Sequence, residues 1–391
     1  MTKILKTKKI CVVTGSRAEY GLLKNLIFLI KKKKLFRLQL VVTGSHLSKK
    51  HGLTINNIVK DKLKIKKKIN LKLTKDDTLS IARSMSYGLS KFVKLFESSK
   101  PDILILLGDR YEIFTAGTAA TLCRLPIGHI HGGEITKSSI DEVFRHSITK
   151  MSHLHFTATN EYKKRVIQMG ERPESVFTVG GLGVDNIKTT KLYSKLDLEK
   201  KLKIKFLKKI ILVTYHPETL KKTSVTNLHN LFNALNQIEE KTVIFTMPNS
   251  DIDSISVFNM IKKFVSKRKN YYLFKSLGQK KYYSCCKYAD FMIGNSSSGL
   301  LEMPTFKKFS INIGERQLGR LKAKSVIDCN YSTSNIIKAM SFSFNPINKK
   351  KIKNVSNPYG SGGASKKIIN ILKRKNFNNL IVKDFFNIKF R

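Results

Sequence analysis

Short runs of consecutive apolar residues alternate along the chain with longer segments whose apolar residues recur every three or four positions. The runs predict buried strands, and the longer recurrence predicts helices. Residues 9–14 (KICVVT) read as a strand and 18–33 as the helix after it; 37–43 (RLQLVVT) is the next strand. Over 76–98, Leu79, Ile81, Met85, Leu89, Phe92, Val93 and Phe96 fall at helical spacing. Pro101-Asp102 then opens ILILLGD, apolar on both faces, as expected of a central parallel strand. A helix over 113–123, a strand over 126–131, a helix over 143–150, a strand over 155–158 and a helix over 162–169 complete the first half.

After Gly180-Gly181-Leu182-Gly183 the rhythm restarts, with strands over 209–214, 242–247, 271–274, 291–294 and 309–313. Helices over 225–239, 253–266 and 280–287, and one beginning at 299–303, lie between them; 366–373 reads as a last helix. Strand–helix alternation through two halves predicts two doubly wound α/β domains, with a hinge near 180–186. In such sheets a ligand lies at the carboxyl ends of the strands, so the cleft between the domains is the expected site.

Length agrees with this count, since 391 residues suggest two or three domains. Charge is the outlier. Lys+Arg is 74 against Asp+Glu 27, a formal net charge of +47, and only 13 of the 74 are arginines. The lysines are spread over helix-like segments rather than gathered on one face, so nucleic acid is not an expected partner. No apolar run approaches the length of a membrane span, and the N-terminal CVV is too short for a signal-peptide core. A cytoplasmic protein with no membrane partner is expected. The five cysteines are odd in number and form no C-x-x-C pair, which argues against both disulfides and structural zinc.

Nearly every strand ends in a polar signature. Thr14-Gly15-Ser16-Arg17-Ala18-Glu19-Tyr20-Gly21 leads a glycine turn into a helix start, where backbone N–H groups and Arg17 suit an anion. In Leu107-Gly108-Asp109-Arg110-Tyr111-Glu112, Asp109 is either an N-cap or a catalytic carboxylate, and its position alone favours the cap. His129-Ile130-His131-Gly132-Gly133-Glu134, followed by Asp141-Glu142 and Arg145-His146, adds Glu134, Asp141 and Glu142 as acid/base candidates. Asp141 and Arg145 stand at i, i+4, where they can pair on one helix face. Histidines among carboxylates also suit a metal, but no H-x-x-x-H pair supports one, and no metal site is expected.

In the second half, Thr214-Tyr215-His216-Pro217-Glu218 ends a strand, and His216 suits a phosphate or a leaving group. Gly294-Asn295-Ser296-Ser297-Ser298-Gly299 places small hydroxyls at a helix start, a phosphate cradle, with Glu302 one turn on for ribose hydroxyls. Asn312-Ile313-Gly314-Glu315-Arg316-Gln317-Leu318-Gly319-Arg320 adds two arginines. Carboxylates in one half and phosphate and ribose ligands in the other suit a nucleotide diphosphate sugar, and that chemistry needs no redox cofactor.

The strings VVTGSRAEYGLL, LLGDRYE, GHIHGGEIT, RHSITKMSHLHF, GGLGVDN, TYHPET, GNSSSGLLEMP, INIGERQLGR and NPYGSGGAS span about residues 10–366. Together they resemble the hydrolysing UDP-N-acetylglucosamine 2-epimerases of sialic-acid (nonulosonic acid) biosynthesis. The resemblance implies a GT-B-like fold: a Rossmann-like domain over 1–182 with the carboxylates, a second over 183–365 that binds UDP, and a helix and tail over 366–391 crossing back to the first.

It also implies a reaction. The C2 proton is removed and UDP leaves from C1, giving a 2-acetamidoglycal; water then adds to give N-acetylmannosamine and UDP. By the same resemblance Asp109, Glu134 and Asp141 are the acid/base set, and His216 and Arg17 help UDP leave. Ser296 and Ser297 meet phosphate, Glu302 binds ribose, Arg316 lies near the phosphates, and Arg145 orients the carboxylates. A homodimer is plausible on the same grounds. The segment 135–140 lacks the glycine often found there, which leaves open a 2,4-diacetamido-trideoxy sugar nucleotide as substrate. A GT-B glycosyltransferase and a basic nucleic-acid binder are the competing readings.

Overall fold

The computed structural model describes residues 7–49, 52–72, 77–136, 140–217, 224–247 and 254–389, the side chains of 224–226 and 254–255 excepted. Glu218, the loop residues 137–139, and residues 76 and 253, expected to open two helices, lie outside the described residues.

The chain divides into two compact units, one of residues 1–135, 139–186 and 362–391, the other of 136–138 and 187–361. The first holds a seven-stranded sheet in the order β3-β2-β1-β4-β5-β6-β7. Its strands are β1 Lys8–Thr14, β2 Phe36–Thr43, β3 Ile65–Ile69, β4 Ile103–Leu107, β5 Ile127–Ile130, β6 Leu154–Thr157 and β7 Val176–Thr178, all paired in parallel. The second holds six parallel strands in the order β10-β9-β8-β11-β12-β13. These are β8 Lys209–Thr214, β9 Lys241–Thr246, β10 Tyr271–Phe274, β11 Phe291–Gly294, β12 Phe309–Ile313 and β13 Val326–Cys329.

Period-two alternation builds a core on each face of each sheet. In β4, Ile103, Ile105 and Leu107 pack on one side with Ile10 and Val12 of β1, while Leu104 and Leu106 pack on the other with Cys11 and Val13. In β8, Ile211 and Val213 join one core and Ile210 and Leu212 the other. Strand order reverses between β1 and β4, and again between β8 and β11. The residues after these four strands therefore stand where ligands of doubly wound sheets collect.

The lysine run at β3 is explained by its place. Lys66, Lys67 and Lys68 are exposed on an edge strand anchored by buried Ile69. Charged side chains there discourage a further strand from pairing.

Two of the recognised strings have structural work. The helix Ala364–Arg374 starts at Gly363, which has no capping side chain. Asp185 of GGLGVDN supplies the cap from elsewhere, accepting from Gly363 N at 2.7 Å and Ser365 N at 3.0 Å. A carboxylate at a helix N-terminus is favoured by both the free N–H groups and the dipole. At the other end Lys8 Nζ donates to the carbonyls of Leu372, Lys373 and Lys375. The helix buries Ile368, Ile369 and Leu372 in the core of the first unit. No helix among the described residues is long and apolar enough to cross a membrane.

Candidate active site

Asp109 follows β4 and Gly108, whose φ of 83° turns the chain sharply. It does not cap the next helix, Tyr111–Leu122: the cap residue is Arg110, and no side chain bonds there. The capping expectation thus fails for a concrete reason, because the Asp109 carboxylate is engaged by Arg145 Nη2. Arg145 projects from the helix Asp141–Met151 and is 3% exposed, whereas Asp109 is 26% exposed. Its other nitrogen, Nη1, donates to Glu134 O at 2.9 Å and to Glu142 Oε2 at 3.3 Å.

One buried guanidinium therefore ties together Asp109, the backbone of Glu134 and Glu142. Burial works against its charge, but Asp109 first, then Glu134 and Glu142, outweigh burial and hold the proton more firmly than usual. Asp141, half-buried, is the first residue of the same helix. The i, i+3 pair made by Arg145 runs to Glu142.

Glu134 follows the Gly132-Gly133 turn after β5. Gly133 has φ 78°, and a Cβ there would lie 2.5 Å from the carbonyl oxygen of Tyr162. Only glycine permits this approach. Arg165 Nη1 donates to Gly133 O at 2.5 Å, and His131 Nδ1 lies 3.1 Å from Glu134 Oε1.

The neighbouring histidines have internal partners. His129 is fully buried, and Nε2 donates to Gly108 O at 2.8 Å, which steadies the residue before Asp109. Burial lowers its pKa to about 3, so the ring is neutral. His155 Nε2 donates to Glu171 Oε2 at 3.0 Å. Among the described residues no group of three His, Cys, Asp or Glu side chains is arranged to hold a metal ion.

At the start of the chain, the anion cradle expected at Gly15 is partly used up. Gly15 N donates to Glu19 Oε2 at 2.7 Å, and Ser16 Oγ caps Glu19 N at 3.3 Å. Arg17 is exposed at the first position of the helix Arg17–Lys32. Glu19 is raised to about 8 by burial and by the nearby Glu112. Glu112 is wholly buried, holds Arg110 Nε at 2.8 Å, and packs so close to Gly15 that a Cβ there would meet its Cγ at 2.6 Å. Sequence reasoning passed over Glu112 as a site residue. Its only signal was a carboxylate three residues after Asp109.

In the second unit Asn295 is the organising residue, also missed. It follows Gly294 at the end of β11, and its side chain brackets the end of β8. Oδ1 accepts from His216 N at 2.7 Å, and Nδ2 donates to His216 O at 2.8 Å. Its own carbonyl accepts from Gln317 Nε2 at 2.9 Å and Arg316 Nη1 at 3.4 Å. One asparagine thereby fastens the loops after β8, β11 and β12. His216 is lowered to about 3 by burial and then by Arg316, so it is a neutral hydrogen-bonding group.

Ser296 and Ser297 precede a helix of only four residues, Ser298–Leu301, and are half-buried. So short a helix offers N–H groups but little dipole. Glu302 closes that turn. Its Oε2 accepts from Ser298 Oγ, and Oε1 accepts from Tyr283 OH at 3.4 Å. Desolvation raises it to about 7, against the pull of the two hydroxyls.

The UDP-N-acetylglucosamine 2-epimerase family profile matches residues 29–373. A GDP/UDP-N,N'-diacetylbacillosamine 2-epimerase (hydrolyzing) from Campylobacter jejuni is 43% identical over 326 residues, covering 83% of this chain and 85% of that one. Polysialic acid biosynthesis protein P7 of Escherichia coli is 40% identical over 384 residues, covering 97% and 98%. A crystal structure of UDP-GlcNAc 2-epimerase from Neisseria meningitidis bound to UDP-GlcNAc superposes with a TM-score of 0.79 at 20% identity, covering 94% of this chain and all of that one. The fold is thus α/β and GT-B-like, with two Rossmann-type domains, and the chain belongs to the UDP-N-acetylglucosamine 2-epimerase family.

Proposed function

We propose that the protein is a hydrolysing sugar-nucleotide 2-epimerase that converts UDP-N-acetylglucosamine to N-acetylmannosamine and UDP. The observation that carries this reading is the buried Arg145, which gathers Asp109, Glu142 and the Glu134 turn at the ends of β4 and β5. The C2 proton is not strongly acidic, so its removal needs a positioned carboxylate, and departure of the diphosphate needs stabilised negative charge. Asp109, Glu134 and Asp141 serve as the acid/base set. Arg17 and neutral His216 help UDP leave, His216 as a hydrogen-bond donor. Ser296, Ser297 and Arg316 bind phosphate, and Glu302 binds the ribose hydroxyls. Elimination gives a 2-acetamidoglycal, and water then adds to it.

A second substrate is favoured by the 43% relative, named for N,N'-diacetylbacillosamine. The family profile, named for UDP-N-acetylglucosamine 2-epimerase, favours the first substrate, and the 40% relative is named only for polysialic acid biosynthesis. A panel of UDP-N-acetylglucosamine and the UDP- and GDP-linked diacetamido sugars decides between them. The expected result is acceptor-independent release of UDP and N-acetylmannosamine from the first. Nucleotide release only from a diacetamido sugar transfers the assignment to that substrate. Release that requires an added acceptor makes the protein a glycosyltransferase, and no release from any of them rejects the reading.

Two binding predictions belong to the second unit. Arg316→Ala should weaken UDP binding by about 1.5–3 kcal/mol, the worth of a charge-assisted contact, with calorimetry as the measure. Glu302 makes binding depend on pH. Ribose hydroxyls donate to the ionised carboxylate, and with a pKa of about 7 that form grows as pH rises from 6 to 8. UDP affinity should therefore rise several-fold over this range in the wild type relative to Glu302→Gln, a comparison that cancels the titration of UDP itself. The stability effect has the opposite sign. A carboxyl raised on folding is most favourable below its unfolded pKa, and its contribution is lost as pH climbs towards 7.

A further inference from the structure

We propose that Tyr282 and Ser298 are positioning residues that set the Glu302 carboxylate to select ribonucleotides over deoxyribonucleotides; this rests on Glu302 binding the ribose hydroxyls. Ser298 is the third serine of the run after Asn295, and it is not one of the proposed phosphate ligands. Its hydroxyl donates to Glu302 Oε2 and meets Tyr282 OH at 2.5 Å. On the other carboxylate oxygen, Tyr283 OH donates to Oε1 at 3.4 Å, and Gln279 Nε2 donates to Tyr283 OH at 3.3 Å. Gln279, Tyr282 and Tyr283 stand at i, i+3 and i+4, on one face of the helix Gly278–Tyr288.

The direction of each bond follows from the protons available. An ionised carboxylate only accepts, so the single Ser298 hydroxyl proton points to Oε2. Ser298 Oγ then has only lone pairs to offer Tyr282, and the phenol donates to it. Met292 Sδ, at 3.9 Å from the same phenol, is a weak acceptor and does not compete. Tyr283 accepts from Gln279 and passes its own proton to Oε1. Each carboxylate oxygen is thereby held by one hydroxyl, which fixes the plane of the group. Ser298 is the firmer holder, since the Tyr283 bond is near the long limit for a hydrogen bond. A carboxylate has about four acceptor positions, so one stays free on each oxygen. Two vicinal hydroxyls fill that pair. Ribose carries them at C2′ and C3′, and a 2′-deoxyribose fills only one. A carboxylate ordered before the ligand arrives binds the diol without the cost of ordering it then.

The test is calorimetry of UDP and 2′-deoxy-UDP on the full-length protein at about pH 8, where Glu302 is ionised. Wild type should prefer UDP by about 10- to 100-fold, the worth of one hydrogen bond to a charged group. Ser298→Ala removes the firmer holder, and Tyr282→Phe removes one hydroxyl and keeps the ring. The preference should fall at least about fivefold in the first and about threefold in the second. In both, the loss should lie in UDP affinity, with 2′-deoxy-UDP bound within about threefold of wild type. A preference within about twofold of wild type in either variant overturns the proposal. That includes equal weakening of both nucleotides, the result of a merely structural loss. Glu302→Gln separates the two levels. If wild type shows no preference, or Glu302→Gln leaves it unchanged, the ribose reading of Glu302 fails. If the preference collapses in Glu302→Gln but persists in Ser298→Ala and Tyr282→Phe, only the positioning role fails.

Discussion

Asp109→Asn is expected to lower turnover by roughly 10²–10⁴-fold, the usual worth of a general acid or base, while UDP affinity stays within about threefold. The substitution keeps the size of the side chain and its ability to accept from Arg145 Nη2. It removes the charge and the capacity to take a proton. Arg145 keeps Glu142 Oε2 at 3.3 Å and Glu134 O at 2.9 Å, so the buried guanidinium is not left unpaired. The loss of fold stability should therefore be modest, and a thermal melt run beside the assay checks it. UDP affinity is expected to survive because the proposed phosphate and ribose ligands His216, Ser296, Glu302 and Arg316 come from the other unit, held there by Asn295 and its neighbours. Turnover within about tenfold of wild type would remove Asp109 from the chemistry and leave Arg145 a purely structural ion pair. Weakened UDP binding with unchanged kcat would move Asp109 to a binding role.

The strands buried on both faces were plain in the sequence, since ILILL and KIILVT show continuous apolar runs that few other structures need. The strands that escaped, β3, β7 and β13, are all edges, although the edge strand β10 was read. β3 reads IKKKI, with three exposed lysines, and β13 reads VIDC and is mostly half-exposed. An edge strand buries little, so its pattern carries little signal. At the site the residue types were legible, and the pairings were not. Asp109 and Arg145 stand 36 residues apart, and nothing local distinguishes a helix cap from an ion-paired carboxylate. The resemblance named residues that the fold gathers around Arg145, but motif position does not say that Gly15 N is already bonded to Glu19. Asn295 was hidden because its work lies in contacts to residues 79 positions away and 22 positions on.

Gly294→Ala is expected to be the most disruptive single change in the second unit. Gly294 has φ 141°, and a Cβ built on it would sit 2.0 Å from Thr214 O and 2.7 Å from Thr214 C. The obstruction is backbone, not the end of a flexible side chain, and Gly294 and Thr214 are register partners on β11 and β8. The methyl group can be accommodated only if the two central strands separate at their carboxyl ends. Backbone strain and the lost strand contact together should cost about 3–5 kcal/mol, at the upper end for one substitution. The functional loss should exceed that of Arg316→Ala, because Asn295 is the next residue and fastens His216, Arg316 and Gln317 together. Gly278→Ala is the control, since Gly278 also has positive φ, at 65°, but no atom lies within 4 Å of its Cβ position. That variant should cost only about 1 kcal/mol of left-handed strain. Thermal melts and UDP calorimetry on both variants separate strain from collision. Equal, small losses in the two would mean that β8 and β11 give way cheaply and that Asn295 does not depend on their close approach.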